Sequence, residues 1–424
     1  MPSSEQLRIH VPHSETVEIT GHLMDSGILA RVLDDVLEYG GDYRIAQFDV
    51  GKNHDDPSYV RVEVTVAESE DLQRLLMRLQ AHGVNPVEST EATIREVEQD
   101  GVFPQDFYST TNLETVVRID GAWVPVEQPE MDCGLLVGDG PRIRTVPVSD
   151  VKAGDRVVCG AHGVKVVLPI REHSANAAGG GFEFMNSVVS SEKPQALLVR
   201  QIAQRMREVK AEGQKLLWVG GPAVVHTGAA PAMVALVDAG FVDVLFAGNA
   251  LATHDIESSL YGTSLGVDLS KGSGVEHGHE HHIRAINTVR RCGSIAAAVE
   301  QGVLTGGVMH ALVKHRRKFV LVGSVRDDGP LPDVHTDVLE GQRAMRAELP
   351  GVGFAIMVAT MLHSIATGNI LPASVPLVCV DINPATVTKL SDRGSAQAMG
   401  IVTDIGLFLE QLALELVPTY RSGQ

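Results

Sequence analysis

Four short apolar runs in the second half of the chain constrain its fold more than any other feature. "KLLWVGG", "FVDVLFAG", "KFVLVGS" and "PLVCVDI" each hold a few consecutive apolar residues and then stop at glycine or an acid. Such runs are what a strand buried on both faces requires, and the segments between them ("APAMVALVDAG", "SIAAAVEQG", "GLFLEQLALEL") read as helices. Strand and helix alternating from about residue 195 predict a parallel sheet covered on both sides. All strands of such a sheet end at one rim, where open α/β sheets bind their ligands. That rim is predicted to carry Gly220, Gly221, Gly248, Asn249, Gly323, Ser324 and Asp381.

The stretch Val352 to Val380 contains no Asp, Glu, Lys or Arg, yet Gly368-Asn369, Pro372 and Pro376 interrupt it. It reads as a core helix over 354–366, a turn and the strand ending at Asp381, not as a membrane span.

The beginning of the chain has another rhythm. "ETVEITGHL", "DYRIAQFDVG", "SYVRVEVTV" and "VNPVE" read as strands, "ILARVLDDVLEYG" and "SEDLQRLLMRLQAHG" as amphipathic helices, giving the order βαββαβ. A ferredoxin-like α+β domain is predicted over 1–90. Residues 91–178 carry short β-rich runs ("TVVRID", "GLLVGD", "IRTVPV", "DRVVCG") and predict a small barrel-like domain. Residues 179–424 then form the parallel-sheet, Rossmann-like domain, with a polar loop at its start.

Composition excludes several partners. With 53 acidic against 35 basic residues the formal charge is −18, which repels nucleic acid and anionic lipid. The N-terminus "MPSSEQLRIH" lacks the basic start and apolar run of a signal peptide. Cys133, Cys159, Cys292 and Cys379 are scattered without a CxxC pair, which fits a reducing cytoplasm.

No G-x-G-x-x-G occurs, so the usual dinucleotide fingerprint is absent. "WVGGPAVVHTGAAPAM" is still a strand, a double glycine and a turn into a helix, whose free N–H groups near Thr227, Gly228, Ala229 and Ala230 could hold a pyrophosphate. A tight turn without ligand explains the same residues. Asp381, ending its strand, either accepts both ribose hydroxyls, favouring NAD over NADP, or caps the helix after Pro384. "GSVRDDGPLPD" sets Asp327 and Asp328 at another strand end, either solvated or turned to ribose or a substrate ammonium. The histidines of "EHGHEHHIRAIN" do not have the spacing of a zinc site. A metal-free role for His281, His282 and Arg284, on a proton or a carboxylate, competes with an exposed polar loop. "GGGFEFMNSVVSSEKP" combines glycines and apolar anchors with Asn186, Ser190, Ser191, Glu192 and Lys193, as either a substrate loop or an ordered crossover.

Together these stretches resemble one family. "VEITGHLMDSGILARVLDDVLEYGGDYRIAQFDVGKNHDDPSYVRVEV" is similar to the LOR/SDH conserved region. "FEFMNSVVSSEKP", "GHEHHIRAIN", "GSVRDDGPLPDV", "VDINPATVTKLSDRGS" and "GIVTDIGLFL" resemble archaeal-type ornithine cyclodeaminases and the C-terminal part of bifunctional arginine dihydrolase/ornithine cyclodeaminases. The dihydrolase domain has no counterpart in this sequence. The resemblance implies conversion of L-ornithine to L-proline and ammonia by a homo-oligomer, dimer or tetramer, with tightly held NAD on a fold like that of deoxyhypusine synthase. It favours the ribose for Asp381 and adds Asn383 and Asp404 to the cofactor-binding set. The expected roles are Glu192 or Asp328 as base, His281 or His282 as proton shuttle, and Lys193 and Arg284 on the substrate carboxylate, with Asn186, Ser190 and Ser191 beside it. Three other readings remain open at this point: a lysine/saccharopine-type dehydrogenase, a non-catalytic NAD-binding regulator, and a Schiff-base transferase using Lys389 or Lys318.

Overall fold

The structure is a computed structural model, and it describes residues 12–23, 27–52, 56–88, 90–140, 142–168, 195–264, 267–268, 280–327, 329–392 and 398–421. The chain divides into two compact units, Met1–Ala175 with Pro372–Ser374, and Asn176–Leu371 with Val375–Gln424.

The first unit opens with β1 (His13–Gly21), α1 (Ile28–Glu38), β2 (Asp42–Asp49), β3 (Ser58–Val66), α2 (Ser69–Gln80) and β4 (Asn85–Pro86). The sheet order β2-β3-β1-β4 is that of a ferredoxin-like domain. Strict alternation makes β3 two-faced: Val60, Val62, Val64 and Val66 are buried in one cluster with Leu72, Leu75, Leu76 and Leu79 of α2 and Val32 and Val36 of α1. Each buried leucine contributes about 2 kcal/mol. The opposite face is polar, with the Tyr59 hydroxyl donating to Glu18 at 2.8 Å.

A second sheet follows, built from β5 (Thr93–Glu96), β6 (Glu114–Ile119), β7 (Ala122–Glu127), β8 (Gly134–Val137), β9 (Ile143–Val146), β10 (Arg156–Cys159) and β11 (Val164–Val167). Its order is β11-β6-β7-β9-β8-β10-β5, with β7 and β9 parallel and the other neighbours antiparallel.

The second unit contains α3 (Gln195–Ala211), β12 (Lys215–Gly220), α4 (Ala223–His226), α5 (Ala230–Asp238), β13 (Val244–Gly248), α6 (Asn249–Tyr261), the small pair β14 (Thr263–Ser264) and β15 (Val267–Asp268), α7 (His281–Cys292), α8 (Ile295–Glu300) and α9 (Gly307–Lys314). It continues through β16 (Lys318–Val322), β17 (Val334–His335), α10 (Val338–Glu348), β18 (Val352–Val358), α11 (Met361–Ile370), β19 (Leu377–Asp381), α12 (Pro384–Asp392), β20 (Ala398–Val402) and α13 (Ile405–Leu416). The sheet runs β17-β16-β13-β12-β18-β19-β20 and is parallel throughout. Without β17 this is the 3-2-1-4-5-6 order of the dinucleotide-binding sheet, and the winding reverses between β12 and β18.

Successive residues of each strand serve opposite cores. Leu216, Trp218, Phe354, Ile356 and Val358 pack with α3, α5, α6, α9 and α13, while Leu217, Val219, Ala355 and Met357 pack with α10, α11 and α12. The helix predicted over 354–366 is corrected here: Val352–Val358 is a strand with every residue buried, and the helix starts at Met361. A strand buried on both faces shows no alternation, so periodicity alone does not separate it from a core helix.

Candidate functional site

At the reversal point two strand ends touch. Gly221 donates its N–H to Val358 O at 2.9 Å, and a Cβ placed on Gly221 would lie 1.8 Å from Ala359 O, so no larger residue fits. Ala359 adopts φ 53, a left-handed conformation costing a non-glycine residue about 1–2 kcal/mol, and donates to Val380 O at 3.1 Å. The turns leaving β12 and β18 are thereby locked against each other at the mouth of the crevice.

The other strand ends line the same rim. Asp381 is buried, and its Oδ1 accepts the Asn383 N–H at 2.8 Å, while Asn383 Oδ1 accepts the Ala385 N–H at 3.0 Å. Asn383, not Asp381, therefore serves the first turn of α12. Asp404 caps α13 by accepting the Leu407 N–H at 2.9 Å, and a Cβ on Gly406 would meet Thr227 Cβ at 3.3 Å, which brings the α4–α5 and β20–α13 turns together. Asp327 folds its loop by accepting the Ser324 N–H at 2.8 Å, while Gly323 donates to His335 O.

One predicted contact is corrected. Thr227 and Gly228 do not offer free N–H groups: these donate to Ala223 O and Val225 O, because α4 forms a closed turn before α5 starts. Buried Asn249 turns its Oδ1 to the Leu331 N–H at 3.0 Å and to Thr253, so this oxygen holds a loop. A residue not singled out in the sequence, His363 of α11, lies against Gly248, with its ring carbon 3.3 Å from where a Cβ would stand. Burial holds its pKa below the usual 6.5, against the opposing effects of the Ala247 backbone and Asp327.

Beside the sheet, α6 carries a second polar constellation. Fully buried Glu257 is bonded through Oε2 to His254 Nδ1 at 2.8 Å and accepts the Thr263 hydroxyl on Oε1 at 2.9 Å. Thr263 Oγ1 is in turn 2.8 Å from His281 Nδ1. His281 stacks on Tyr261 with ring centroids 4.9 Å apart. His254 stands 4.8 Å from His226 and 6.3 Å from His282, centroid to centroid, and His226 Nδ1 is 2.6 Å from Ser264 Oγ. Burial pushes the His226 pKa down, the neighbouring His254 lowers it further and Glu257 opposes both. The cluster combines imidazoles and one carboxylate in a setting that excludes most water, as proton transfer requires. Among the described residues no group of three has the arrangement of a metal site.

His281 and His282 thus join a cluster whose other members, His226, His254, Glu257, Thr263 and Ser264, the sequence reading passed over. A His-x-x-Glu pair one helical turn apart was the available signal. Arg284 is not drawn in: it is exposed and pairs with Glu280, the residue just before α7, its Nε 3.1 Å from the carboxylate. Lys318 opens β16 at the end opposite the rim, and Lys389 is exposed on α12. Asn186, Ser190, Ser191, Glu192, Lys193 and Asp328 lie outside the described residues.

Comparison with known proteins decides the kinship. A family model described as "Arginine dihydrolase ArgZ-like, C-terminal, Rossmann fold" matches residues 200–412. The "LOR/SDH bifunctional enzyme conserved region" matches 14–113, and the ArgZ-like "C-terminal, first region" matches 114–199. An ornithine cyclodeaminase of Methanothermobacter thermautotrophicus is 52% identical over 95% of this chain and 98% of its own length. The chain belongs to the ornithine cyclodeaminase family. Solved structures agree: ArgZ, an arginine dihydrolase from the cyanobacterial ornithine-ammonia cycle, superposes with a TM-score of 0.83 at 38% identity over 97% of this chain and 59% of that one. A ternary complex of AgrE with ornithine and NAD+ has a TM-score of 0.52 at 39% identity, covering 96% of this chain and 59% of that one. Within this family the rim and the histidine cluster of the second unit are the places where a cofactor and a proton-transfer site can be sought.

Proposed function

We propose that this chain is an NAD-dependent ornithine cyclodeaminase, converting L-ornithine to L-proline and ammonia. The observation that carries the reading is the near full-length kinship to a protein of that name, 52% identical over 405 residues. The rim suits a dinucleotide. Asp381 ends the middle strand of the β18-β19-β20 half, where it would accept ribose hydroxyls, and its charge would disfavour a 2′-phosphate. The close turns at Gly220-Gly221 and Ala359 leave backbone near the crevice where a pyrophosphate lies in such sheets. Asn383, Asp404, Gly323, Ser324, Asp327, Thr227, Gly228, Ala229, Gly248 and Asn249 are proposed to border or support the cofactor there. NAD bound there supplies a reversible hydride acceptor for the substrate Cα.

The protein's part is to fold one flexible molecule on itself and to take up its protons. Joining the δ-amine to Cα closes a ring within a single substrate, so restraining ornithine in a bent shape removes much of the barrier. Both amines are protonated in solution at neutral pH, and each must lose its proton before it reacts. The histidine cluster serves that need, with Glu192, Lys193, Asn186, Ser190, Ser191 and Asp328 proposed to complete the substrate pocket. The reading includes a cytoplasmic location and a homo-oligomer that feeds proline biosynthesis from arginine metabolism. Free cysteines support the first. Val325, Leu362 and Ile382, exposed around the rim, are apolar surface that a cofactor or second copy would cover. No described helix is long and apolar enough to cross a membrane.

The test is to incubate the purified protein with ornithine, adding no cofactor, and follow proline and ammonia by mass spectrometry. Equal amounts of both are expected. NADH accumulating after NAD is added would point to a dehydrogenase instead, and the absence of any turnover with NAD present to a regulatory protein.

A further inference from the structure

Glu257 is the least exposed charged residue of the histidine cluster, and its hydrogen bonds form a chain with a definite proton order. Thr263 has one hydroxyl proton, and it points at Glu257 Oε1 across 2.9 Å. The contact between Thr263 Oγ1 and His281 Nδ1, at 2.8 Å, then has a proton only if the imidazole supplies it. His254 meets the same carboxylate directly, Nδ1 to Oε2 at 2.8 Å, and an ionised carboxylate only accepts. One buried acid thus orders two imidazoles, from α6 and α7, in the same tautomer.

We propose that Glu257 is a positioning residue which, directly and through Thr263, keeps His254 and His281 protonated on Nδ1, so that their Nε2 atoms serve as the two proton acceptors for the two amines of ornithine. This rests on the ornithine reading above. The protons balance. One imidazole takes one α-ammonium proton, and NAD held at the rim would accept the hydride from Cα, leaving the α-iminium. The other takes the δ-ammonium proton as the δ-nitrogen bonds to Cα. The added δ-nitrogen passes its second proton to Nα, the Cα–Nα bond breaks as ammonia leaves, and the cyclic iminium so formed would take the hydride back. One imidazole then returns its proton to the ring nitrogen, giving the proline ammonium, and the other protonates the departing ammonia. Two bases acting on one substrate explain why two rings share one orienting acid, as a single base would need only one.

Nitrogen-15 NMR of the histidine side chains in the resting full-length protein reads the tautomers without any turnover, with His254→Gln and His281→Gln used for assignment. The expected pattern is Nδ1–H for both rings in the parent, a change at His281 alone in Thr263→Val, and the parent pattern restored in Thr263→Ser. Glu257→Gln, checked for folding by thermal melting, is expected to lower kcat by about 100-fold or more with KM changed less than about threefold. A proton on Nε2 with none on Nδ1 of His281 in the parent would reverse the proton order of the chain and overturn the inference, as would full kcat in Glu257→Gln. The expected tautomers without proline formation would instead sink the ornithine reading alone.

Discussion

Asp255 and Glu257 stand two residues apart on α6, equally hidden from water, and are used in opposite ways. Asp255 is met by backbone: its carboxylate takes the Val308 N–H at 2.7 Å and the Met309 N–H at 2.8 Å, fastening the start of α9. Gly307 there sits at φ 90, and a Cβ on it would lie 2.7 Å from the Asp255 carboxylate. Glu257 is met by side chains, His254 and Thr263, whose protons can move or reorient. The difference teaches that burial of an acid does not itself announce chemistry. An acid bound by amide N–H groups fixes the fold, whereas one bound by imidazole and hydroxyl groups orders protons.

Breaking that contrast gives the largest expected effect. His254→Gln should reduce turnover by about 100-fold or more, while Asp255→Asn, measured per folded molecule, should stay within about threefold of the parent. Comparable losses in both, from steady-state proline formation, would erase the distinction.

A second effect concerns stability. Burial pushes the Asp255 carboxyl from 3.8 up to about 6, outweighing its two backbone hydrogen bonds. The folded chain therefore holds this proton more tightly than the unfolded one. The associated stabilisation is complete below about pH 4 and is lost as pH rises to about 6, with a total of order 2–3 kcal/mol. Urea unfolding of parent and Asp255→Asn should show a gap between the two that is larger at pH 4 than at pH 7 by that amount. A constant gap would show that the carboxyl does not titrate there.

Smaller still is the expected change at Asp381, which has one backbone partner and lies at the rim, between the two extremes. Asp381→Ala should weaken NAD binding, followed by calorimetry on protein freed of cofactor, by roughly 10- to 100-fold, the loss typical of hydrogen bonds to a charged group. Unchanged affinity would move the ribose elsewhere. Least of all is Arg284→Gln. An exposed pair with Glu280 contributes under about 1 kcal/mol, so both melting temperature and KM for ornithine should barely move. A KM raised tenfold or more would restore Arg284 as the carboxylate ligand.

The rim was legible in the sequence because each strand ends abruptly at a residue with a geometric task. Gly221 admits the Ala359 carbonyl, and Asp381 closes an apolar run. The ferredoxin-like sheet was legible because β3 has a wet face and a dry one, so its valines alternate. The β18 strand was not, since a residue buried on either side gives no period to read. Nor was the Glu257 cluster. Residues Leu251 to Glu257 of α6 are all buried, so polar and apolar positions follow no stripe that would mark His254 and Glu257 as inward-facing. Their partner Thr263, and His281 bonded through it, arrive from other elements, which only the fold brings together.

The most direct measurement follows one atom. Ornithine carrying deuterium at Cα, converted by the protein in ordinary water with an excess of unlabelled NADH present, should give proline that retains the deuterium at the carbon bearing the carboxylate. Proline without the label at that carbon, with deuterium in free NADH or in water, would contradict a hydride lent and returned within one bound complex.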